Sequence, residues 1–393
     1  MKRCIPYERV GSVLVEKRKM SRKPIVLSLF LLVLMAFAGE DTYQLVMLGD
    51  LHYDCVDCHE QSVLENMTEK QKRVMKRDLN NWRDGGYSQK MLELVGKAAE
   101  ELHSPFVIQI GDFCNGNAGS EKMAEKQILE CLTLCKKYIK TPFIAVKGNH
   151  DVDGIGGSSA FDKILPAFWS RELELNPPVT QTSFAYRQGP DVFIFLDDIE
   201  MSLQKKTMVD GVEKVTFPNW ELFQALLNDN QDVRYTFIVC HFPIIPLHGG
   251  HGFPFEAPQF KKQRMALLNL LCERNAIVLC GHIHDNNYLE YANDKGTISQ
   301  VATISLFYNS DSPKLKELES GGVQKYMSRK IVQDVVKRDA YKAECLDFYM
   351  QGLKRFVTLL GSGYSIVRIS PDGVVVDFRS IEDQEYCASI KMR

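Results

Sequence analysis

One local event recurs along this 393-residue chain and narrows its possible folds more than any other feature. A short apolar run rich in Val, Ile, Phe and Leu stops, and a cluster of Gly, Asp, Asn or His follows at once. Residues 45–48 lead into Gly49-Asp50-Leu51-His52, residues 106–110 into Gly111-Asp112, and residues 143–146 into Gly148-Asn149-His150-Asp151. Residues 192–196 lead into Asp197-Asp198, residues 236–239 into Cys240-His241, and residues 277–279 into Gly281-His282-Ile283-His284. Such runs read as strands buried on both faces. The stretches between them, such as 89–102 and 121–138, carry the apolar spacing of helices. Strands alternating with helices predict an α/β fold. In such folds functional side chains collect beyond the carboxyl ends of the strands. Five of these six ends carry candidate metal ligands, a coincidence that packing alone does not produce.

The first 38 residues read differently. Residues 25–38 form a 14-residue apolar run preceded by Arg22 and Lys23 and closed by Ala36-Phe37-Ala38. This is the layout of an export signal with a small-x-small cleavage site. At about 1.5 Å per residue the run reaches roughly 21 Å, short of a hydrocarbon core of about 30 Å. The expectation is an exported chain with residues 1–38 as signal peptide, Met20 as a possible true start, and no stable membrane span after cleavage. Those 38 residues hold eight Lys/Arg against Glu8 and Glu16, so the remainder carries 40 basic and 48 acidic residues. A body with that acidic excess argues against a nucleic-acid polymer as partner.

Ten of the eleven cysteines follow Cys4. Cys131 and Cys135, four apart on an expected helix, read as packing residues. Cys55-x-x-Cys58 is open to three readings: a redox pair, half a zinc site, or a local disulfide. Asn66-Met67-Thr68 is a glycosylation sequon. Residues 43–309 are expected to form the core, with 53–87 as a charged, mainly helical insertion. Residues 310–393 are expected to extend the same domain as a helical segment, with Ile331 and Val335 on one helix face, and a closing β-hairpin. Pro371-Asp372-Gly373 would supply its turn.

The candidate ligands are Asp50, His52, Asp112, Asn149, His241, His282 and His284. This set of imidazoles, carboxylates and one amide, without thiolate, suits Zn, Mn or Fe. Seven side chains exceed what one tetrahedral ion takes, so two divalent ions are expected. A carboxylate can bridge two ions where an imidazole cannot, which makes Asp112 the expected bridge.

In their order the motifs resemble the calcineurin-like metallophosphoesterase superfamily, whose pattern is G-D-x-H, G-D-x-x-D/N, G-N-H-D/E, a single His, then G-H-x-H. They stand here at residues 49–52, 111–115, 148–151, His241 and 281–284, within roughly 43–308. The resemblance implies two mixed β-sheets packed as a sandwich and flanked by helices. It implies Asp50, His52 and His284 on a first metal, Asn149, His241 and His282 on a second, and Asp112 between them. It further implies a metal-bridging hydroxide as in-line nucleophile on a phosphate mono- or diester, with His150 as the non-ligand histidine at the phosphate or leaving oxygen. Asp151 would orient that imidazole. Asn115, His248 and His251 are weaker candidates for substrate contact.

Two departures narrow the branch. Purple acid phosphatases have Asp-x-Gly first and a Tyr ligand in the second motif, where this chain has His52 and Asn115. Branches with a separate nucleotide-binding domain need more than the short, charged residues 311–393. The layout looks closer to the exported phosphoesterases that include cyclic-nucleotide phosphodiesterases, acting on a small phosphoester. The alternatives are a nuclease of the same superfamily, a non-catalytic metal-binding scaffold on this fold, and a thiol–disulfide centre at Cys55 and Cys58. Oligomeric state is not legible.

Overall fold

The computed structural model describes residues 8–10, 13–15, 41–247, 254–306, 316–380 and 387–392. Apart from the paired strands Glu8–Val10 and Val13–Val15, the expected signal segment lies outside them. His248 and His251 lie outside them as well.

Two mixed sheets dominate, flanked by helices, as the motif order implied. The six-stranded sheet runs Cys387–Lys391, Gly373–Ser380, Gly363–Ser370, Tyr43–Leu48, Val107–Gln109, Phe143–Ala145. Its last three strands are parallel. The eight-stranded sheet contains a parallel block of Asp191–Phe195, Thr236–Val239, Ile277–Cys280 and Gly296–Ala302. All six apolar runs read from the sequence are strands in these two blocks, because each is buried on both sides. Along Asp191–Phe195, Phe193 and Phe195 enter the apolar cluster shared with Leu45, Met47 and Ile108 of the other sheet. The alternating Val192 and Ile194 face a second cluster with Leu267 and Leu271 of the helix Lys261–Glu273. That period of two is the strand geometry itself.

The helix Glu121–Tyr138 follows its spacing and is capped by Ser120, whose hydroxyl accepts from the Met123 amide. The insertion folds chiefly as the helices Gln61–Asn66 and Glu69–Trp82, the second opened by a Thr68/Gln71 capping box. The Pro-Asp-Gly hairpin forms as expected, and its strand Gly363–Ser370 pairs with Tyr43–Leu48. The C-terminal extension departs from the expectation of a helical segment. Its helices Val323–Met327, Lys330–Arg338 and Ala340–Met350 lie between two strands, Lys316–Gly321 and Leu353–Leu360, which extend the eight-stranded sheet. On Lys330–Arg338 the expected Val335 packs on the core with Val332 and Val336, while Ile331 is exposed. Cys55 and Cys58 form a disulfide, and Cys131 and Cys135 are buried and unbridged. Among the described residues no helix is long and apolar enough to cross a membrane.

A buried ion pair joins the two sheets beside the strand ends. Lys147, just after Phe143–Ala145, reaches Asp197, just after Asp191–Phe195, at 2.7 Å, with neither side chain exposed. Asp162 meets the same ammonium at 2.5 Å. Removing the lysine leaves Asp197 buried without its cation, which costs about 3–5 kcal/mol. Lys147→Met is therefore expected to lower the denaturant midpoint by a corresponding amount, and an unchanged midpoint in equilibrium unfolding would contradict the role assigned to the pair.

Candidate metal centre

Each loop that ends a parallel strand is tied to the next. The Asp112 carbonyl accepts from the amides of Leu51 and His52 at 3.0 and 2.8 Å, the His241 carbonyl from Gly281 at 3.0 Å, and the Asp50 carbonyl from Leu306 at 2.9 Å. These ties hold the backbone where isolated chains rarely go. His52, Asp112, His282 and His284 all have left-handed φ, between 45° and 70°. That conformation costs about 1–2 kcal/mol per non-glycine residue and persists only where the surroundings over-determine it. Gly111, itself at φ 93°, lies so close to His241 that a Cβ would run into the imidazole, and one on Gly148 would strike the Asp112 backbone.

The loops bring the seven expected ligands to the facing ends of both sheets. Asp50, His52, Asp112 and His284 present ligand atoms within 4.8 Å of one another, and so do Asp112, His241 and His282. Asp112 is common to both groups. Its Oδ2 faces His52 Nε2 at 3.6 Å and its Oδ1 faces His241 Nε2 at 3.3 Å. Asn149 completes the second group, its Oδ1 3.0 Å from His241 Nε2.

The donor chemistry fits divalent ions. His241 Nδ1 donates to the Ile110 carbonyl at 2.9 Å, which turns a bare Nε2 lone pair inward. That nitrogen faces Asn149 Oδ1 at 3.0 Å and Asp112 Oδ1 at 3.3 Å, and a proton or a metal cation on it would reconcile the three. Burial alone pulls the His241 imidazole down, but Asp112, Asp50 and Asp198 more than reverse this and push it up to about 10. A field that holds a proton so firmly is one that attracts a cation. In the first group, burial holds His52 down at about 3, the neutral form a metal requires. Its Nε2 lies 3.1 Å from that of His284, and two nitrogens each about 2.0–2.1 Å from a common ion sit roughly 3 Å apart. Asp50 Oδ2 lies 3.0 Å from His284 Nε2.

One expectation at the rim needs correction. Asp151 does not orient His150. Its buried carboxylate accepts from the amides of Phe113, Cys114 and Gly148 at 3.1, 2.8 and 2.8 Å, stitching the second motif loop to the third. Burial pushes this carboxyl up to about 7, with Asp112 adding to the shift. His150 Nδ1 instead faces the Asn115 carbonyl at 3.3 Å and Asp153 at 3.7 Å, and its ring centroid is 4.5 Å from that of His52. Asn115, expected as a weak substrate contact, donates its side-chain amide to Asp54 at 3.1 Å. Asp54 in turn pairs with buried His59 at 2.6 Å.

Three supports were not read from the sequence. Trp82 Nε1 donates to the His52 carbonyl at 3.1 Å. Asp198 accepts from the His241 and Phe242 amides at 3.3 and 2.8 Å. The Ile110 carbonyl fixes the His241 tautomer. Asp198 had a visible signal, an acid at a strand end, whereas a backbone carbonyl has none.

A sequence model described as calcineurin-like phosphoesterase matches residues 43–286. The chain belongs to that family. Its span covers every motif residue of the two ligand groups and stops before the C-terminal extension. No curated protein matches the chain. Among solved structures the chain is similar to GAP50, the anchor in the inner membrane complex of Plasmodium, at 13% identity over 90% of each chain with a TM-score of 0.48. It is similar also to a dimetal phosphatase from Danio rerio, at 11% identity over 90% of this chain and 100% of that one, TM-score 0.48. A third is the purple acid phosphatase PPD1 of yellow lupin, Lupinus luteus, at 11% identity over 89% of this chain and 53% of that one, TM-score 0.43. Likenesses this distant say nothing of what the present chain acts on.

Two outcomes test this geometry. Asp112→Ala removes the one carboxylate that both groups share, so calorimetric titration should show both ion-binding steps lost or weakened together. Two ions held at wild-type affinity would contradict the bridge. The second concerns the wall beside it, where His59 faces Asp54 with Nε2 and the Asn117 carbonyl with Nδ1. Burial opposes the His59 charge, but the bond to Asp54 raises its pKa above the ordinary 6.5. A raised folded-state pKa contributes stability that is full below the ordinary value and is lost as pH rises through the folded one. The stability gap between wild type and His59→Gln should therefore narrow as pH climbs from about 6 towards 9 in denaturation measurements, and a gap that widens would contradict the charged pair.

Proposed function

We propose that this chain is a two-metal phosphoester hydrolase acting on a small phosphate mono- or diester. The observation that carries the reading is Asp112, whose two oxygens each face one ligand group. Asp50, His52 and His284 would hold one ion, Asn149, His241 and His282 the other, and Asp112 both. The pair would supply Lewis acidity, drawing charge from the phosphoryl oxygens and making water acidic enough to attack near neutral pH. The imidazole and carboxylate donors suit Mn, Zn or Fe.

The remaining steps belong to side chains of the chain itself. His150 stands at the rim with about a third of its side chain exposed. Anchoring of Nδ1 on the Asn115 carbonyl directs the ring, leaving Nε2 to protonate the departing oxygen or to bind the phosphoryl group. Asp153 lies 3.7 Å from Nδ1 on the same side of the ring. Asp151 and Asp198 keep the loops in place so that little reorganisation accompanies the reaction. Export through the apolar leader is part of the same reading, as is a small substrate in preference to a polymer.

The deciding experiment is hydrolysis of a matched aryl phosphate monoester and diester by the purified protein loaded separately with Mn, Zn and Fe. Turnover of either supports the reading and its ratio assigns the ester class. Two bound ions with no turnover of either would leave a metal-binding scaffold. His150→Ala should keep both ions while lowering kcat by about 10²–10⁴. If His150 is the acid, the loss grows as the leaving group becomes poorer. Equal loss across leaving groups would assign it to phosphate binding instead.

A further inference from the structure

Beside the ligand groups lies a cavity of about 240 Å³ that the family match does not account for. One wall is the helix Glu69–Trp82 of the insertion with the residue ahead of its cap, presenting Met67, Lys70, Val74 and Met75. The opposite wall holds Asn115 and His150. The cavity therefore opens onto the one motif histidine that is not in either ligand group, and that ring is 4.5 Å from His52. Its polarity is uneven. Asp54 and His59 also line it, but they satisfy each other at 2.6 Å, and Asp54 takes further bonds from Asn115, from Gln127 and from the Cys55 amide. Lys70 is the exposed charge among its lining residues, and Met67, Val74 and Met75 give that wall an apolar stretch beside the polar Gln71.

We propose that this cavity is the leaving-group pocket, and that it takes a compact, partly apolar alcohol or phenol that is uncharged or anionic, not a cationic one. This rests on the hydrolytic reading above. Hydrolysis breaks the phosphorus–oxygen bond to the alcohol and forms one to a water oxygen. The departing oxygen takes a proton from His150, a proton given up by the attacking water restores the imidazole, and no oxidant or co-reactant is needed. In-line displacement places the departing group opposite the attacking oxygen, and the group that protonates it must lie within hydrogen-bond reach. His150 is that group, so the alcohol rests where His150 faces, against the insertion. The volume falls below the usual range of about 300–1,000 Å³ for drug-sized ligands, which suits a single ring or a short chain. Lys70 repels an alkylammonium and attracts a carboxylate or a further phosphate.

Two measurements on the full-length, Mn-loaded protein test the pocket, one of which needs no turnover. Phenylphosphonate should bind at least about fivefold more tightly than methylphosphonate, and Val74→Trp, which fills the cavity from a helix surface, should abolish the difference. Lys70→Glu, on an exposed side chain that does not endanger the fold, should lower the kcat/KM ratio of 4-carboxyphenyl phosphate to 4-(trimethylammonio)phenyl phosphate by about tenfold. The differing acidity of the two phenols cancels in that comparison. Equal affinity for the two phosphonates in the wild type, or a ratio that ignores Lys70→Glu, overturns the pocket and leaves hydrolysis standing. A phosphonate preference erased by Val74→Trp, with no ester turned over, supports the pocket and overturns hydrolysis.

Discussion

The Asp112 carboxylate lies between side chains delivered by two different sheets, and it is buried where an unpaired charge is expensive. One oxygen faces His52 and the other His241, so a cation in the gap would be shared by side chains of both sheets. The left-handed turns at His52, Asp112, His282 and His284 make sense as the cost of aiming four side chains at that gap from the ends of straight strands. Strands approach one another no closer than their spacing of about 4.8 Å, so convergence has to come from the loops. The amide–carbonyl ties between neighbouring loops then hold the backbone in conformations it would otherwise leave.

Hydrogen-bond saturation separates the acids that can ligate from those that cannot. Five aspartates sit buried at these strand ends: Asp50, Asp112, Asp151, Asp197 and Asp198. Asp151 takes three backbone amides and Asp198 two, so their oxygens are committed to shaping loops. Asp197 is committed to Lys147 and to the Thr182 hydroxyl. Asp112 accepts a single amide, from His150, on Oδ1, and Asp50 a single amide, from His282, also on Oδ1. In both, Oδ2 is turned to an imidazole. Residue type alone makes these five acids alike, and it is the full set of donors around each, amides, hydroxyl and lysine, that gives them different chemistry.

That distinction marks how far the sequence could be read. The six buried strands were legible because short apolar runs that end in a cluster of Gly, Asp, Asn or His have few other ways to fold. The seven candidate ligands were legible as a group because strand ends in parallel blocks face one way. Asp151 was misread because the carboxylate next to His150 in sequence is turned back toward Gly148, and sequence adjacency does not fix side-chain direction. Leu353–Leu360 was missed because Lys354 and Arg355 interrupt its apolar pattern, and Arg355 is drawn to Glu290 across the sheet, a long-range partner that no local window contains. Trp82 stands in no motif, and its bond to the His52 carbonyl links the packing of the insertion to the site.

The same physics divides the molecule by what each part is free to change. Around the ligand groups nearly every polar atom is shared between two loops, so a substitution at one position moves several ligands at once. The insertion is bound by a different and looser logic: its helix needs only a cap at Thr68 and an apolar face toward the core, with Met75 and Trp82 buried. Lys70 and Val74 sit on the side of that helix that faces the cavity and take no part in either requirement. A wall so placed can alter what the site admits without disturbing how it is held together, provided Trp82 keeps its bond to His52. That single indole is where the adaptable wall and the constrained site meet.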